Sequence, residues 1–133
     1  MFFIGYVPTA SMEPTLKENS IVFGSRIFGD LSVGDIIVFK HDGRTMVKRI
    51  AAVGGEMFES DEKIYVVPNS CFFVLGDNAE NSWDSRYWED PFVKCEEIIA
   101  KRYGAERIVY TVAQGMDAVK IGDDLTYTQM GKL

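Results

Sequence analysis

The sequence predicts a mostly β fold, with antiparallel sheets folded into a compact, partly barrel-like domain. Three features carry that expectation. Short apolar runs rich in Ile, Val and Phe recur along the chain, bounded by Gly, Pro and Asp. An Asp42-Gly43 dipeptide, which favours a tight hairpin turn, lies between two of these runs. Only residues 15–19 and 90–97 hint at helix, and then at short turns.

The elements follow in chain order. Residues 21–24 read as a short strand. Residues 36–39 read as a buried strand entered from Gly34-Asp35, and residues 45–53 pair back with it across Asp42-Gly43. Residues 64–67 and 71–75 are expected to pair with each other around Pro68-Asn69. Residues 97–103 and 107–112 form two more strands, split by Gly104. A last pair is expected at 118–121 and 125–128, around Gly122-Asp123-Asp124. Residues 1–103 make the principal unit, and 104–133 a C-terminal β extension of the same domain.

Composition narrows the function classes. A chain of 133 residues is one domain, and 47% hydrophobic with 26% charged residues is a globular balance. The net charge of -6 lacks the basic footprint of a nucleic-acid binder, so no nucleic-acid partner is expected. No apolar run is long enough to cross a membrane, and the apolar opening stops at Pro8. The single histidine, His41, adjoins the Asp42-Gly43 turn and is expected as a solvated tip residue. A Ser-His-Asp triad and a multi-histidine metal site then have little support. Cys71 and Cys95 show no metal-ligand spacing; Cys71 reads as a buried thiol or as half of a disulfide. No phosphate-binding glycine motif occurs, and no metal or cofactor is expected.

Without a usable histidine, the next candidates for a base are Lys and carboxylates. Strand alternation places Lys48 on one face with Met46, Ile50 and Ala52, and Arg49 on the other. An amine in apolar surroundings loses preference for its charged form, which makes Lys48 a candidate neutral base. A lysine whose stem lies on the sheet while its ammonium reaches water is the commoner arrangement for such a strand. Ser11 lies between Pro8 and Pro14, which stiffen both flanks, with Ala10 leaving room beside it. A hydroxyl on a rigid turn, with its own N–H nearby, suits acyl transfer, and Thr9 offers a second hydroxyl. A Ser that caps a short helical turn is the alternative, and the commoner one in isolation. Residues 76–88 form a polar, turn-rich loop in which Ser82, Asp84 and Arg86, if extended, share a face. Asp84 and Arg86 could then pair and Ser82 could orient an amine. An elaborate surface loop over Trp83 and Trp88 is the other reading.

Taken together, these segments resemble the catalytic domain of type I signal peptidases, membrane-anchored serine proteases with a Ser-Lys dyad. The resemblance is carried by Ser11-Met12-Glu13-Pro14-Thr15-Leu16, by residues 34–39, by Val47-Lys48-Arg49-Ile50 running to Gly54-Gly55, and by Gly76-Asp77-Asn78 with Asn81-Ser82 and Asp84-Ser85-Arg86. It spans roughly residues 7–101. Ala79 and Glu80 stand where the family usually has Arg and Asp. The resemblance implies that Ser11 is the nucleophile and Lys48 the general base, with Ser82 hydrogen-bonded to the amine. It implies an oxyanion hole from the Ser11 N–H and the Thr9 hydroxyl, and a structural pair in Asp84 and Arg86. Val7, Pro8, Met12, Leu16, Met46 and Val47 match positions that line shallow substrate pockets. The implied substrates are secretory preproteins, bound as an added β-strand and cut after Ala-x-Ala-like sites at the extracytoplasmic face of the plasma membrane. A membrane anchor is then expected to have been removed before Met1, and Phe2-Phe3-Ile4 to be an exposed membrane-facing edge. Competing readings are a Ser-Lys autoprotease, a non-catalytic assembly factor of the same family type, and a plain β binding module. Residues 111–113 are a minor candidate for a substrate mimic that docks in a neighbouring cleft.

Overall fold

β-branched and aromatic side chains suit a pleated, half-buried surface, and the runs that carry them form the strands. The structure, a computed structural model, describes residues 2–103 and 131–132. Its strands are β1 (Phe2–Val7), β2 (Ser20–Ser25), β3 (Ile36–His41), β4 (Arg44–Val53), β5 (Met57–Ser60), β6 (Lys63–Val66), β7 (Cys71–Leu75), β8 (Phe92–Lys94), β9 (Ile98–Arg102) and β10 (Gly131–Lys132). Short 3-10 turns occupy Ala79–Asn81 and Cys95–Glu97. Eight strands form one sheet in the order β10-β1-β2-β9-β3-β4-β7-β8, and β5 and β6 form a separate pair. All pairings are antiparallel except that of β1 with β10. The mostly β, antiparallel architecture expected from the sequence is found, and among the described residues the sheet does not close into a barrel.

β3 explains why its sequence is apolar without alternation. Ile36 and Val38 join one core cluster with Phe3, Val7, Met12, Val22, Val47 and Ala100. Ile37 and Phe39 join another with Ile50, Phe72, Val74, Trp88 and Val93. Both faces of this central strand are therefore buried. The Asp42-Gly43 turn closes the β3–β4 hairpin with φ of 51° and 78°, the left-handed backbone of a two-residue hairpin turn.

Several expectations are corrected. Residues 64–67 and 71–75 do not pair: β6 pairs with β5, and β7 lies between β4 and β8. The unexpected β5 is joined to β6 through Asp61 and Glu62, at φ of 50° and 65°. These residues adopt hairpin-turn geometry without the Gly or Asn that advertises it. β7 is apolar on both faces and takes a neighbour on each edge, so Pro68-Asn69 serves as a crossing between sheets. His41 is not a solvated tip residue. It shares the face of Ile37 and Phe39, is 5% exposed, and stacks on Trp88 with centroids 4.6 Å apart. Its Nε2 lies 2.9 Å from the Asp90 carbonyl and its Nδ1 3.3 Å from the Glu97 carboxylate.

The N-terminal edge also differs from expectation. Phe3 and Ile4 are buried, and Phe2 packs against Phe23 and Tyr103, so this edge presents no open row of rings. Residues 15–19 hold turns rather than a helical turn, and 90–97 are mostly β8 and a 3-10 turn. Cys71 and Cys95 are free thiols, Cys71 half-buried and Cys95 exposed. Among the described residues no helix is long and apolar enough to cross a membrane. The strands expected at 107–112, 118–121 and 125–128, and the substrate-mimic segment 111–113, lie outside the described residues.

Candidate active site

Ser11 and Lys48 reach each other because the sheet curls. In the sheet, β1 and β4 are separated by β2, β9 and β3, about 19 Å if flat at the usual strand spacing. Twist and the shared core of β1, β3 and β4 bring the turn after β1 over β4. There the Lys48 amine donates to Ser11 Oγ at 2.9 Å. Thr9 Oγ1 donates to the same oxygen at 3.3 Å. Both Ser11 and Lys48 are buried. Burial drives the Lys48 amine down to about 8 from its ordinary 10.5, against the pull of the nearby Asp84 carboxylate and with the help of Arg86. Among the described residues no carboxylate forms an ion pair with this amine. A lysine in that state is neutral in about one molecule in ten at pH 7, and can accept a proton from the hydroxyl it touches.

The turn that carries Ser11 is anchored on two sides. Met12 is fully buried beneath it, and Leu16 is also core. From above, Asn78 donates its backbone N–H to the Ser11 carbonyl at 2.9 Å and its side-chain amide to the Ala10 carbonyl at 3.0 Å. Asp77 accepts from the Thr15 hydroxyl at 2.5 Å and from Arg49 through Nε and Nη2, at 2.9 and 2.8 Å. The Arg49 guanidinium, with help from Thr15, holds the Asp77 carboxyl below its ordinary range despite partial burial. Arg49 also donates to the Gly34 carbonyl at 2.7 Å. One carboxylate thus ties the serine turn to the lysine strand.

Gly76 is required by close approach. A Cβ there would lie 2.0 Å from Ser82 Oγ and 2.6 Å from the Ser11 carbonyl oxygen. Ser82, expected to bond the lysine amine, is placed differently: its hydroxyl donates to Asp84 Oδ2 at 2.8 Å. Among the described residues no hydrogen bond joins Ser82 to Lys48; the Ser82 hydroxyl is turned to the fully buried Asp84 carboxylate. Asp84 also accepts from the Gly76 N–H at 3.0 Å and from Arg86 Nε at 2.8 Å and Nη2 at 2.9 Å. Burial alone would raise this carboxyl, but Arg86, the Gly76 N–H and Ser82 together hold it below its ordinary value.

A groove of about 580 Å³ runs past the pair, lined by Val7, Thr9, Ser11, residues 44–48, Asn81 and Trp83. Of the expected substrate-contact residues, Val7, Met46 and Val47 line it. Met12 and Leu16 do not, because their apolar side chains fill the core under the turn, and Pro8 lies outside the lining. Asp77, Asn78, Arg49 and Thr15 carry no role in the sequence reading, although all four lie in boxes quoted for other residues. Among the described residues no cluster of His, Cys, Asp and Glu could hold a metal ion.

Comparison with known proteins places the chain in a family. A family model described as signal peptidase, peptidase S26, matches residues 1–66 and 57–105. The chain is 31% identical over 134 residues to a probable signal peptidase I-2 of Synechocystis sp., covering 74% of this chain and 60% of that protein. It is 34% identical over 90 residues to mitochondrial inner membrane protease subunit 1 of Mus musculus, covering 59% of this chain and 54% of that one. It is 29% identical over 132 residues to signal peptidase I of Leptolyngbya laminosa, covering 72% of this chain and 64% of that one. The chain thus spans less than two thirds of the length of these relatives.

Proposed function

We propose, because this chain belongs to the signal peptidase family, peptidase S26, that it is a serine endopeptidase that removes signal peptides from secretory preproteins. Ser11 is the nucleophile and Lys48 the general base. The observation that supports this most is the 2.9 Å approach of a buried, ion-pair-free amine to the Ser11 hydroxyl. Neutral Lys48 takes the Ser11 proton as Oγ bonds to the scissile carbonyl carbon. The developing oxyanion is received by the Ser11 N–H and by the Thr9 hydroxyl, which turns from Ser11 Oγ toward it. The lysine ammonium then protonates the leaving amine as the C–N bond breaks. Water, deprotonated by Lys48, releases the acyl group and restores the serine.

Substrate enters as an added strand. β4 pairs with β3 over its first half, but with β7 only from Arg49 onward, so residues 44–48 keep one open edge beside the groove. Val7, Met46 and Val47 leave shallow apolar contacts there, suited to small side chains at Ala-x-Ala-like sites. Work on preproteins places the protein at the extracytoplasmic face of the plasma membrane.

A preprotein cleavage assay tests the reading. Ser11→Ala and Lys48→Arg should each abolish cleavage while circular dichroism stays that of the parent. Full activity in either variant would sink the assignment of the pair.

A further inference from the structure

The groove has a second cationic residue besides Lys48. Arg44 begins β4, is exposed, and lies with its guanidinium carbon 4.8 Å from the centre of the Trp83 ring. Trp83 is itself 45% exposed and rests edge-on against Trp88, with centroids 5.8 Å apart. Both residues line the groove that holds Ser11 and Lys48. Arg49 and Arg86 are each ion-paired, whereas among the described residues no carboxylate pairs with Arg44. A guanidinium placed over an indole and, among the described residues, without an ion pair keeps its fork of donors for a partner from outside, in a chain of net charge -6.

The sheet fixes where along a bound peptide that partner falls. From β1 to β4 there are four antiparallel steps, through β2, β9 and β3, so β1 and β4 run the same way. The strand that the outer edge of β1 already accepts, β10, is parallel to it. A peptide strand lying in the groove parallel to both places its residues before the scissile bond alongside 44–47. Arg44 precedes Lys48 by four residues, about 13 Å along the strand at the usual rise. With the residue before the cut bond beside Lys48, the fifth residue before the cut lies beside Arg44.

We propose that Arg44 and Trp83 form a distal recognition subsite that takes an acidic side chain at the fifth substrate position before the cleaved bond. The carboxylate pairs with the guanidinium, and its methylene stem lies against the exposed part of the indole. This rests on the reading of Ser11 and Lys48 as the reacting pair and of the groove as the peptide site.

The test uses the full chain and two peptides that differ at one residue, Glu or Lys at that fifth position, with Ala at the first and third. The expected kcat/KM ratio favours Glu by about three- to tenfold at low salt, the size of an exposed ion pair formed with one peptide and a repulsion met with the other. The preference shrinks as salt rises. Arg44→Gln flattens the ratio and Arg44→Glu inverts it, while Trp83→Ala reduces it without inversion. A flat ratio in the parent overturns the subsite, as does a ratio that Arg44→Glu leaves unchanged. So does an acidic preference found only after the cut bond. If neither peptide is cleaved, their affinities for the Ser11→Ala variant, read by calorimetry, decide the matter. A Glu preference there that inverts in the Ser11→Ala, Arg44→Glu double variant keeps the subsite while the catalytic reading falls. Absence of binding by both peptides overturns both.

Discussion

Lys48 and Arg49 are neighbours on β4, and the fold treats their two charges in opposite ways. On the groove side, Lys48 is buried against Ser11 with no carboxylate among the described residues bound to it, and desolvation brings its amine down to about 8. On the bracing side, Arg49 is held bidentately by Asp77, and a second arginine, Arg86, is held by Asp84. The bracing half satisfies each of its carboxylates with several donors. The groove half leaves one amine short of partners, at a cost in stability. A site that needs a neutral lysine at neutral pH needs that asymmetry, because an ion pair at Lys48 would restore its charge.

The largest expected effect breaks the groove side alone. Lys48→Met should lower cleavage by about a thousandfold or more, the scale of losing a positioned general base. The same change should raise the melting temperature at pH 7. Below about pH 8 Lys48 is protonated whether folded or unfolded, so the full penalty of burying its charge is present. Between about 8 and the unfolded value of 10.5 the unfolded chain binds the extra proton, and stability rises with pH. Lys48→Met should abolish that rise. In the parent, the cleavage rate should climb about tenfold per pH unit below the lysine's midpoint and level off above about 8. A rate that stays flat down to pH 5 would exclude a lysine base.

The next effect breaks the bracing side from within. Asp84→Asn leaves the Arg86 guanidinium without its counter-charge in a buried setting, and should cost about 3 kcal/mol in denaturant melts. It should also move the rate profile. Asp84 raises the Lys48 amine and Arg86 lowers it, so losing the carboxylate shifts the midpoint below 8. A midpoint that stays at about 8 or moves upward would mean that the Asp84 charge does not raise the amine.

The two halves were unequally legible in the sequence. Period-two alternation placed Lys48 on an apolar strand face, and two prolines marked the Ser11 turn, so the reacting pair was within reach. The bracing half depends on contacts between distant segments, Thr15 to Asp77 and Arg49 to Asp77, which no local pattern encodes. The resemblance pairs Ser82 with the amine, whereas the bond it makes to the fully buried Asp84 depends on how the 82–84 loop folds back, which the local sequence does not show. The resemblance implies pocket roles for Met12 and Leu16, but apolar side chains beside a nucleophile serve equally as lining or as core, and here they are core. His41 was misplaced because its neighbours Asp42 and Gly43 form the turn, while strand alternation carries its own ring inward beside Phe39. β5 is hidden in the sequence because Glu62 takes the positive-φ turn position where a Gly or Asn would advertise a hairpin.

The smallest effect separates bracing from chemistry. Asp77→Asn removes a carboxylate from a bridge whose arginine is 36% exposed, and solvent screening holds the stability loss to about 1 kcal/mol or less. The lost geometry matters more than the lost charge, because Asp77 also takes the Thr15 hydroxyl and so joins the Ser11 turn to β4. The variant should lose cleavage by about tenfold, through less frequent alignment of Ser11 Oγ with the amine. Its pH midpoint should not move, because Asp77 is not among the charges that set the Lys48 amine. Arg49→Lys should behave alike, since a point charge cannot grip both carboxylate oxygens in the same plane. If either variant shifts the midpoint, the Asp77–Arg49 pair reaches the amine electrostatically as the Asp84–Arg86 pair does.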